Sequence, residues 1–420
     1  MQRAENRTVS IHLTHRGEYF GPVGPFEVDG GFWSSAAPVV ERVAAELGVP
    51  AVVLRLADAP GDGAGHGGHV VYHVEALERP TGLVPRQATP EVAALLGPAE
   101  RRAGWATLPG LRAALEWAER SLDRAGRPAV APAEQIRTWN LSGLFRYRTA
   151  SGTDAWLKVI NPAFNAREGE VIALLGSADP TLVPPVIGAA PEHGMLLLDH
   201  VPGEDLWGPS AEEVTAVVPR LVAAQAALAA DGRAVAAGLR DRTPRALLAQ
   251  VDALLDRLGA ASGCDLTADE LAAARTLAAR LPGLVEELAA CGLPETLVHG
   301  DFHPGNWRSD GASAVVVDYA DSCLGHPAMD GLRPRQYVDG ERWAQLAAVW
   351  AEAWRTHAPG SDPERALHLI EPLSHFAYAV RYQEFLDHIE DSERPYHEGD
   401  PESEIRAALA WAAADGAGAA

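Results

Sequence analysis

Apolar positions along this 420-residue chain change period part-way, from strand-like alternation to helical spacing. Near the start, Val9 to His15 alternates like a strand, and Ala51 to Leu56 and His69 to Ala76 predict two more. The glycine-rich stretch 61–68 parts the latter two. Ala36 to Leu47 carries Val39, Val40, Val43 and Leu47 on one helical stripe, and Leu111 to Leu122 predicts a second helix. Residues 1–130 thus read as a small α+β unit. His66, His69 and His73 lie where that glycine loop enters a strand, with no cysteine or acidic ligand cluster beside them, so a polar loop explains them better than a metal site.

A second unit spans about 135–200. Leu144 to Thr149 and Ala155 to Val159 predict strands joined by a turn at Ala150–Asp154, with a helix from Asn165 to Leu175. Val183 to Ile187 and Met195 to Leu198 read as short apolar strands before the linker Asp199–Gly203. From Ala211 onward the chain is mainly helical, with spans near 211–231, 243–259, 267–290, 341–357, 363–390 and 402–414. A polar, strand-like island at 296–319 interrupts them. The expected fold class is α+β: an extra α+β domain over 1–130, a small β-rich lobe over 131–201, and a mainly helical lobe over 202–420.

Composition narrows the function. The length suits two or three domains, and a chain near half apolar can bury a sizeable core. A net charge of −22 and the lack of any arginine run exclude a nucleic-acid stripe and suit a cationic small substrate. Cys264, Cys291 and Cys323 form no framework, the N-terminus lacks an apolar leader segment, and no apolar run reads as a membrane span. A cytoplasmic protein with no membrane partner is the expectation.

One lysine, Lys158, stands among 34 arginines. An ammonium is a compact point charge where guanidinium is a planar fork, and a compact cation suits nucleotide phosphates in a narrow slot. The island at 296–319 holds the densest chemistry. Asp301 follows an apolar strand in a loop with Gly300, Pro304 and Gly305, Asn306 lies five residues on, and Asp318 closes the next strand. A carboxylate and an amide oxygen on adjacent strand ends can hold Mg²⁺, and Asp301 remains to accept a hydroxyl proton. With a distant lysine these are the parts for phosphoryl transfer.

The run His299-Gly300-Asp301 with Asn306, then Asp318-Tyr319, Gly325, Pro327 and Asp330, resembles the aminoglycoside phosphotransferase and choline kinase group, small-molecule kinases with a bilobal protein-kinase-like fold. The resemblance covers about 135–410. It implies an ATP-dependent phosphotransferase acting on a small-molecule hydroxyl, antibiotic-like, amino-sugar or sugar, with Mg²⁺. It makes Asp301 the catalytic base, Asn306 and Asp318 the Mg²⁺ ligands, and Lys158 the contact to the α- and β-phosphates. The partner of Lys158 should be a glutamate on the next helix. Glu168 and Glu170 both qualify by position, and Glu168 shares a face with Val171, Ile172 and Leu175. The phosphate-covering turn corresponds to Ser142 and Gly143, and adenine would meet the linker at Leu198, Asp199 and Val201. His303 would lie near the transferred phosphate or brace the loop. His299 and Asp330 read as groups that orient the loop.

A protein kinase would carry an HRD triplet, a DFG triplet and a long activation segment, none of which appears. Two alternatives stay open: a sugar or maltose-type kinase with a cap domain, and a non-catalytic nucleotide-binding regulator. Nine acids in 384–404 against Arg394 read as a solvated face, or as a lining for an acceptor cleft through Tyr382, Glu384, Asp387, Glu390 and Glu393.

Overall fold

The computed structural model describes residues 6–60, 65–164, 167–261 and 263–418. Part of the glycine-rich stretch, 61–64, and the expected helix start at 165–166 lie outside the described residues. The chain forms two compact units. The first holds the described residues up to 164 together with Val186–His200 and Phe385–Glu398, and the second holds 167–185, Val201–Glu384 and the segment from Gly399.

The first unit has two sheets. β1 (Arg7–His15), β2 (Glu18–Val28), β3 (Ala51–Asp58) and β4 (His69–Ala76) form one in the order β2-β1-β4-β3, with α1 (Ala37–Leu47) beside it. β2 escapes the sequence pattern because Gly21, Pro22, Gly24 and Pro25 interrupt it. It is an edge strand, where missing N–H donors are tolerated. After α2 (Pro90–Leu96) and α3 (Leu108–Arg124) comes a five-stranded antiparallel sheet, β5-β6-β7-β9-β8. Its strands are β5 (Glu134–Thr138), β6 (Ser142–Arg148), β7 (Asp154–Ile160), β8 (Val186–Ala190) and β9 (Met195–Asp199). The expected strand at Val183–Ile187 moves three residues on, since Pro184 and Pro185 cannot donate to a ladder.

β3 buries both of its faces. Val53 and Leu56 enter a core with Val9, Ile11 and Tyr72, while Val52 and Leu54 enter another with Trp105, Phe145 and Leu157. Residues before 130 and the five-stranded sheet therefore share a hydrophobic core. Arg55 interrupts the apolar run and is 2% exposed. Such a charge needs partners. Its Nη1 donates to His73 Nδ1 at 2.7 Å, its Nη2 to Leu95 O at 2.8 Å, and its Nε lies 3.4 Å from Glu390 Oε1. Burial and the Arg55 charge push the His73 imidazole down to about 2, so it stays neutral and its Nε2 donates to Thr14 Oγ1. This places His73 in a hydrogen-bond chain. Arg102 completes the pairing of Glu390 at 2.8 Å.

The acidic segment is thus not simply a solvated face. Glu390 and Glu393 are 8% and 4% exposed inside the first unit. Glu393 Oε1 accepts from Leu56 N at 2.7 Å.

In the second unit, α4 (Glu168–Gly176) precedes β10 (Glu204–Asp205) and α5 (Ala211–Ala230). α5 corrects the expectation about apolar runs, because by length and composition it could cross a membrane. Here it is a core helix: Val214, Val217, Val218, Leu221, Val222 and Leu228 are buried, and a Ser210–Glu213 capping box starts it. α6 (Arg233–Ala236), β11 (Asp241–Arg242) and α7 (Pro244–Ala260) follow. The expected helix 267–290 is two, α8 (Ala268–Ala278) and α9 (Leu281–Ala290), because Pro282 starts a new helix more readily than it continues one. The polar island becomes β12 (Thr296–Val298), β13 (Trp307–Ser309), β14 (Ala314–Val316) and β15 (Cys323–Gly325), in two small sheets, β10-β13-β14 and β11-β15-β12. α10 (Ala328–Leu332), α11 (Gly340–His357), α12 (Pro363–His388) and α13 (Asp400–Gly418) complete the unit, except for the end of α12 from Phe385, which belongs to the first.

Burial in the first unit, aided by the Glu390 charge, pushes the Glu393 carboxyl from 4.5 to about 8 against the Leu56 amide and the Arg55 and Arg102 charges. The folded chain therefore holds a proton that the unfolded chain releases, and stability falls as pH rises from about 4.5 to about 8. Glu393→Gln keeps an acceptor for Leu56 N and removes this titration. Thermal midpoints should nearly coincide with wild type at about pH 5, with the variant several degrees higher at about pH 8.5.

Candidate active site

The loop after β12 is shaped by one buried carboxylate. Asp330 Oδ2 accepts from His299 N at 2.7 Å and Gln225 Nε2 at 2.7 Å, and Oδ1 accepts from Gly300 N at 2.9 Å. Asp330 is 1% exposed, and burial pushes its carboxyl up against the pull of His299 and these donors. Gly300 has a φ of +85°, and a Cβ there would sit 2.3 Å from Asp321 O, so only glycine fits. His299 Nδ1 accepts from Asp301 N at 3.2 Å while Nε2 donates to Val317 O at 3.0 Å, which defines its tautomer. Its ring packs on Tyr319 at 4.7 Å.

Asp301 emerges from this frame with both oxygens engaged. Arg333 Nε donates to Oδ1 at 2.8 Å. His303 Nε2 lies 3.3 Å from Oδ2, and Asn306 Nδ2 donates to Oδ2 at 3.3 Å and to Asp301 O at 2.9 Å. Burial pushes the carboxyl up, but the charge of Arg333 and the hydrogen bond from His303 overcome it and hold Asp301 well below the usual carboxylate range. His303 Nδ1 accepts from Gly305 N at 3.1 Å, and its ring stacks on Tyr337 at 4.1 Å. A side chain at Gly305 would strike the Trp207 ring at 2.4 Å, so that glycine serves packing.

Asn306 and Asp318 flank a backbone bond from Val317 N to Asn306 O at 2.9 Å. Because the Asn306 amide hydrogens point at Asp301, its Oδ1 is the atom left to face a cation. Asp318 is exposed and has a φ of +65°, a left-handed conformation uncommon outside glycine. Glu168 is 1% exposed and its Oε1 accepts from Tyr319 N at 3.0 Å. Glu170 is 50% exposed and pairs with Arg167. The helical-face reading therefore separates the two glutamates in the direction the structure takes.

Lys158 lies in the first unit, 9% exposed on β7 opposite Leu144 and Leu196. Ser142 and Gly143 differ from expectation. They begin β6 and do not form a turn: Trp139 N donates to Ser142 O at 3.1 Å, and Gly143 stands opposite Thr138 and Val159. A Cβ on Gly143 would come within 3.1 Å of the Trp105 and Phe145 rings, so the glycine answers a packing need. Leu198 and Asp199 end β9, and the Asp199 carboxylate is bound by both Nη atoms of Arg127 at 2.9 Å. The chain passes to the second unit between His200 and Val201, and Val201 O accepts from Arg308 Nε at 3.3 Å.

Arg333, Tyr337 and Tyr378 escaped the sequence reading. Arg333 lies over both rings, 5.0 and 4.5 Å from their centroids, and Tyr378 Oη donates to Gly300 O at 3.1 Å. A signal for Arg333 was present, since it sits three residues after Asp330, the spacing of neighbours on one helical face.

The model of the phosphotransferase enzyme family matches residues 141–369, more than half of the chain. No curated protein matches. Among solved structures, a putative fructosamine-3-kinase from Thermobifida fusca is 18% identical, with a TM-score of 0.47, over 70% of this chain and 98% of that one. A macrolide 2'-phosphotransferase type I is 17% identical, with a TM-score of 0.48, over 70% and 97%. A choline kinase from Cryptosporidium parvum Iowa II is 12% identical, with a TM-score of 0.49, over 66% and 88%. On the family match, with the Asp301 loop inside it, the chain belongs to the phosphotransferase enzyme family.

Proposed function

We propose that this cytoplasmic enzyme transfers the γ-phosphoryl group of ATP to a hydroxyl of a small molecule, in line and at Asp301. The observation that carries the reading is the Asp301 carboxylate, fixed by Arg333, His303 and Asn306 on a loop whose amides end on Asp330. Asp301 orients the acceptor hydroxyl and receives its proton as transfer completes. Asn306 Oδ1 and the exposed Asp318 carboxylate would hold Mg²⁺, an all-oxygen pair that suits a hard cation. When bound, that ion offsets charge on the phosphates. Lys158 and Glu168 are assigned to the donor nucleotide, with the backbone of Leu198, Asp199 and Val201 assigned to its base. Ser142 and Gly143 are assigned to the phosphates through their backbone amides, as the residues that begin β6. Residues 1–130 are assigned an accessory role, as the shared core with the five-stranded sheet favours.

The test is ADP release from Mg-ATP with a panel of hydroxyl compounds, read together with a mass gain of one phosphoryl group on the acceptor. Asp301→Asn should lower turnover by about 10²- to 10⁴-fold with ATP affinity within a few-fold of wild type. Unchanged turnover would remove Asp301 from the chemistry. Lys158→Arg should raise KM for ATP and lower kcat, because a fork replaces a point charge; full activity there would make the lone ammonium incidental. Since Asp301 is held low, it stays ionised through the ordinary carboxylate range. Arg333→Gln removes the nearest cation, so the acid limb of kcat/KM should move upward by about one pH unit. A limb that does not move would mean that another group sets it.

A further inference from the structure

We infer that the acceptor is an alcohol with a bulky apolar body, seated in a groove over Trp343, Leu367 and Trp411 that continues from a cavity behind Arg333. The inference rests on the phosphotransfer reading and names the substrate class of that site. Both spaces lie within the second unit.

The cavity has a volume of about 230 Å³ and is lined in part by Arg333, Ser374 and Tyr378. Its wall touches the reaction centre, because the same Arg333 donates to Asp301 and Tyr378 donates to Gly300 O. Ser374 is 3% exposed, and its hydroxyl has no hydrogen-bond partner among the described residues. A buried hydroxyl left in that state costs stability unless a ligand satisfies it. Arg333 gives Nε to Asp301 and Nη1 to Gln336 at 3.1 Å, which leaves donor capacity on the guanidinium for an acceptor oxygen.

The groove is far larger, about 1080 Å³, and shares Leu332, Arg335, Glu371 and His375 with the cavity. Its remaining lining is mostly alanine, leucine and tryptophan. The charges at the junction already have partners: Arg335 with Glu371 at 2.6 Å, and His375 with Glu404 at 2.6 Å. Despite a net charge of −22, no uncompensated carboxylate lines the cavity among the described residues, where Glu371 is paired. Glu384, a candidate to attract a cation, is bound to Arg242. Recognition here must come from apolar area and a few oxygens. That favours an amphiphilic alcohol over a small cation.

The test uses the full chain and a series of methyl, butyl and hexyl β-glucosides below their micelle concentrations, titrated calorimetrically with choline as the cationic comparison. Wild-type affinity should tighten about fourfold per added methylene, the increment expected when each is buried. Trp411→Ser should flatten the series. Ala410→Trp, which fills the groove from an exposed position and leaves no hole, should flatten it too without altering ATP affinity. A flat wild-type series overturns the inference, as does choline binding tighter than hexyl glucoside. A dimer that the glucosides dissociate also overturns it, because the groove would then be a contact between copies. ADP release is scored separately. A chain-length gradient without phosphoryl transfer leaves the groove standing and sinks the phosphotransfer reading, while turnover of choline with a flat series does the reverse.

Discussion

The placement of Asp301 depends on the buried carboxylate of Asp330. Two consecutive loop amides and the Gln225 side chain all end on it, so the backbone through His299 and Gly300 has one path that leaves no buried donor unmet. That path needs a left-handed residue with no side chain, which Gly300 supplies. A second unusual conformation, at Asp318, is pinned on either side. Val317 N is held by Asn306 O, and Tyr319 N by the Glu168 carboxylate. Backbone strain persists where neighbours over-determine it, and here the neighbours are hydrogen bonds to residues of the same constellation.

Arginine does the structural electrostatics elsewhere. In the first unit, Arg55 sits within an apolar strand and is compensated by Glu390, His73 and a backbone carbonyl. The fork geometry suits this, since one guanidinium can reach three acceptors from a fixed plane. Asp199 shows the same use: both its oxygens are taken by Arg127, which stiffens the end of β9. A chain that meets such demands with arginine makes its single lysine informative, because none of these sites needs a point charge.

What could be read from the sequence was what is local in the sequence. The run from His299 to Asn306 is contiguous, so its loop was legible as one piece. Glu168 could be separated from Glu170 because helical periodicity converts three residues into one face. Gly143 was misread because a glycine required by a tryptophan ring 38 positions earlier looks the same as one required by a turn. Glu393 was misread for a similar reason: its acceptor role at Leu56 spans 337 positions. Acidic runs are usually solvated, and no local signal distinguishes one whose members are buried against a strand far away in sequence. Proline breaks were visible as residues but not as boundaries, so 267–290 read as one helix.

The electrostatics of Asp301 bear on how the proposed transfer proceeds. A carboxylate held well below its usual range is a weak base, and a strong base would be expected if the hydroxyl proton had to leave before bond formation. Phosphoryl transfer commonly passes through a loose transition state with little bond formation to the nucleophile. The hydroxyl then becomes acidic only late, once its oxygen is bonded to phosphorus, and a weak base suffices to take the proton. What is needed earlier is orientation, and an ionised acceptor locked by Arg333, His303 and Asn306 provides it. The clamp that lowers the basicity of Asp301 is therefore also what positions it, and for this chemistry position is worth more than proton affinity.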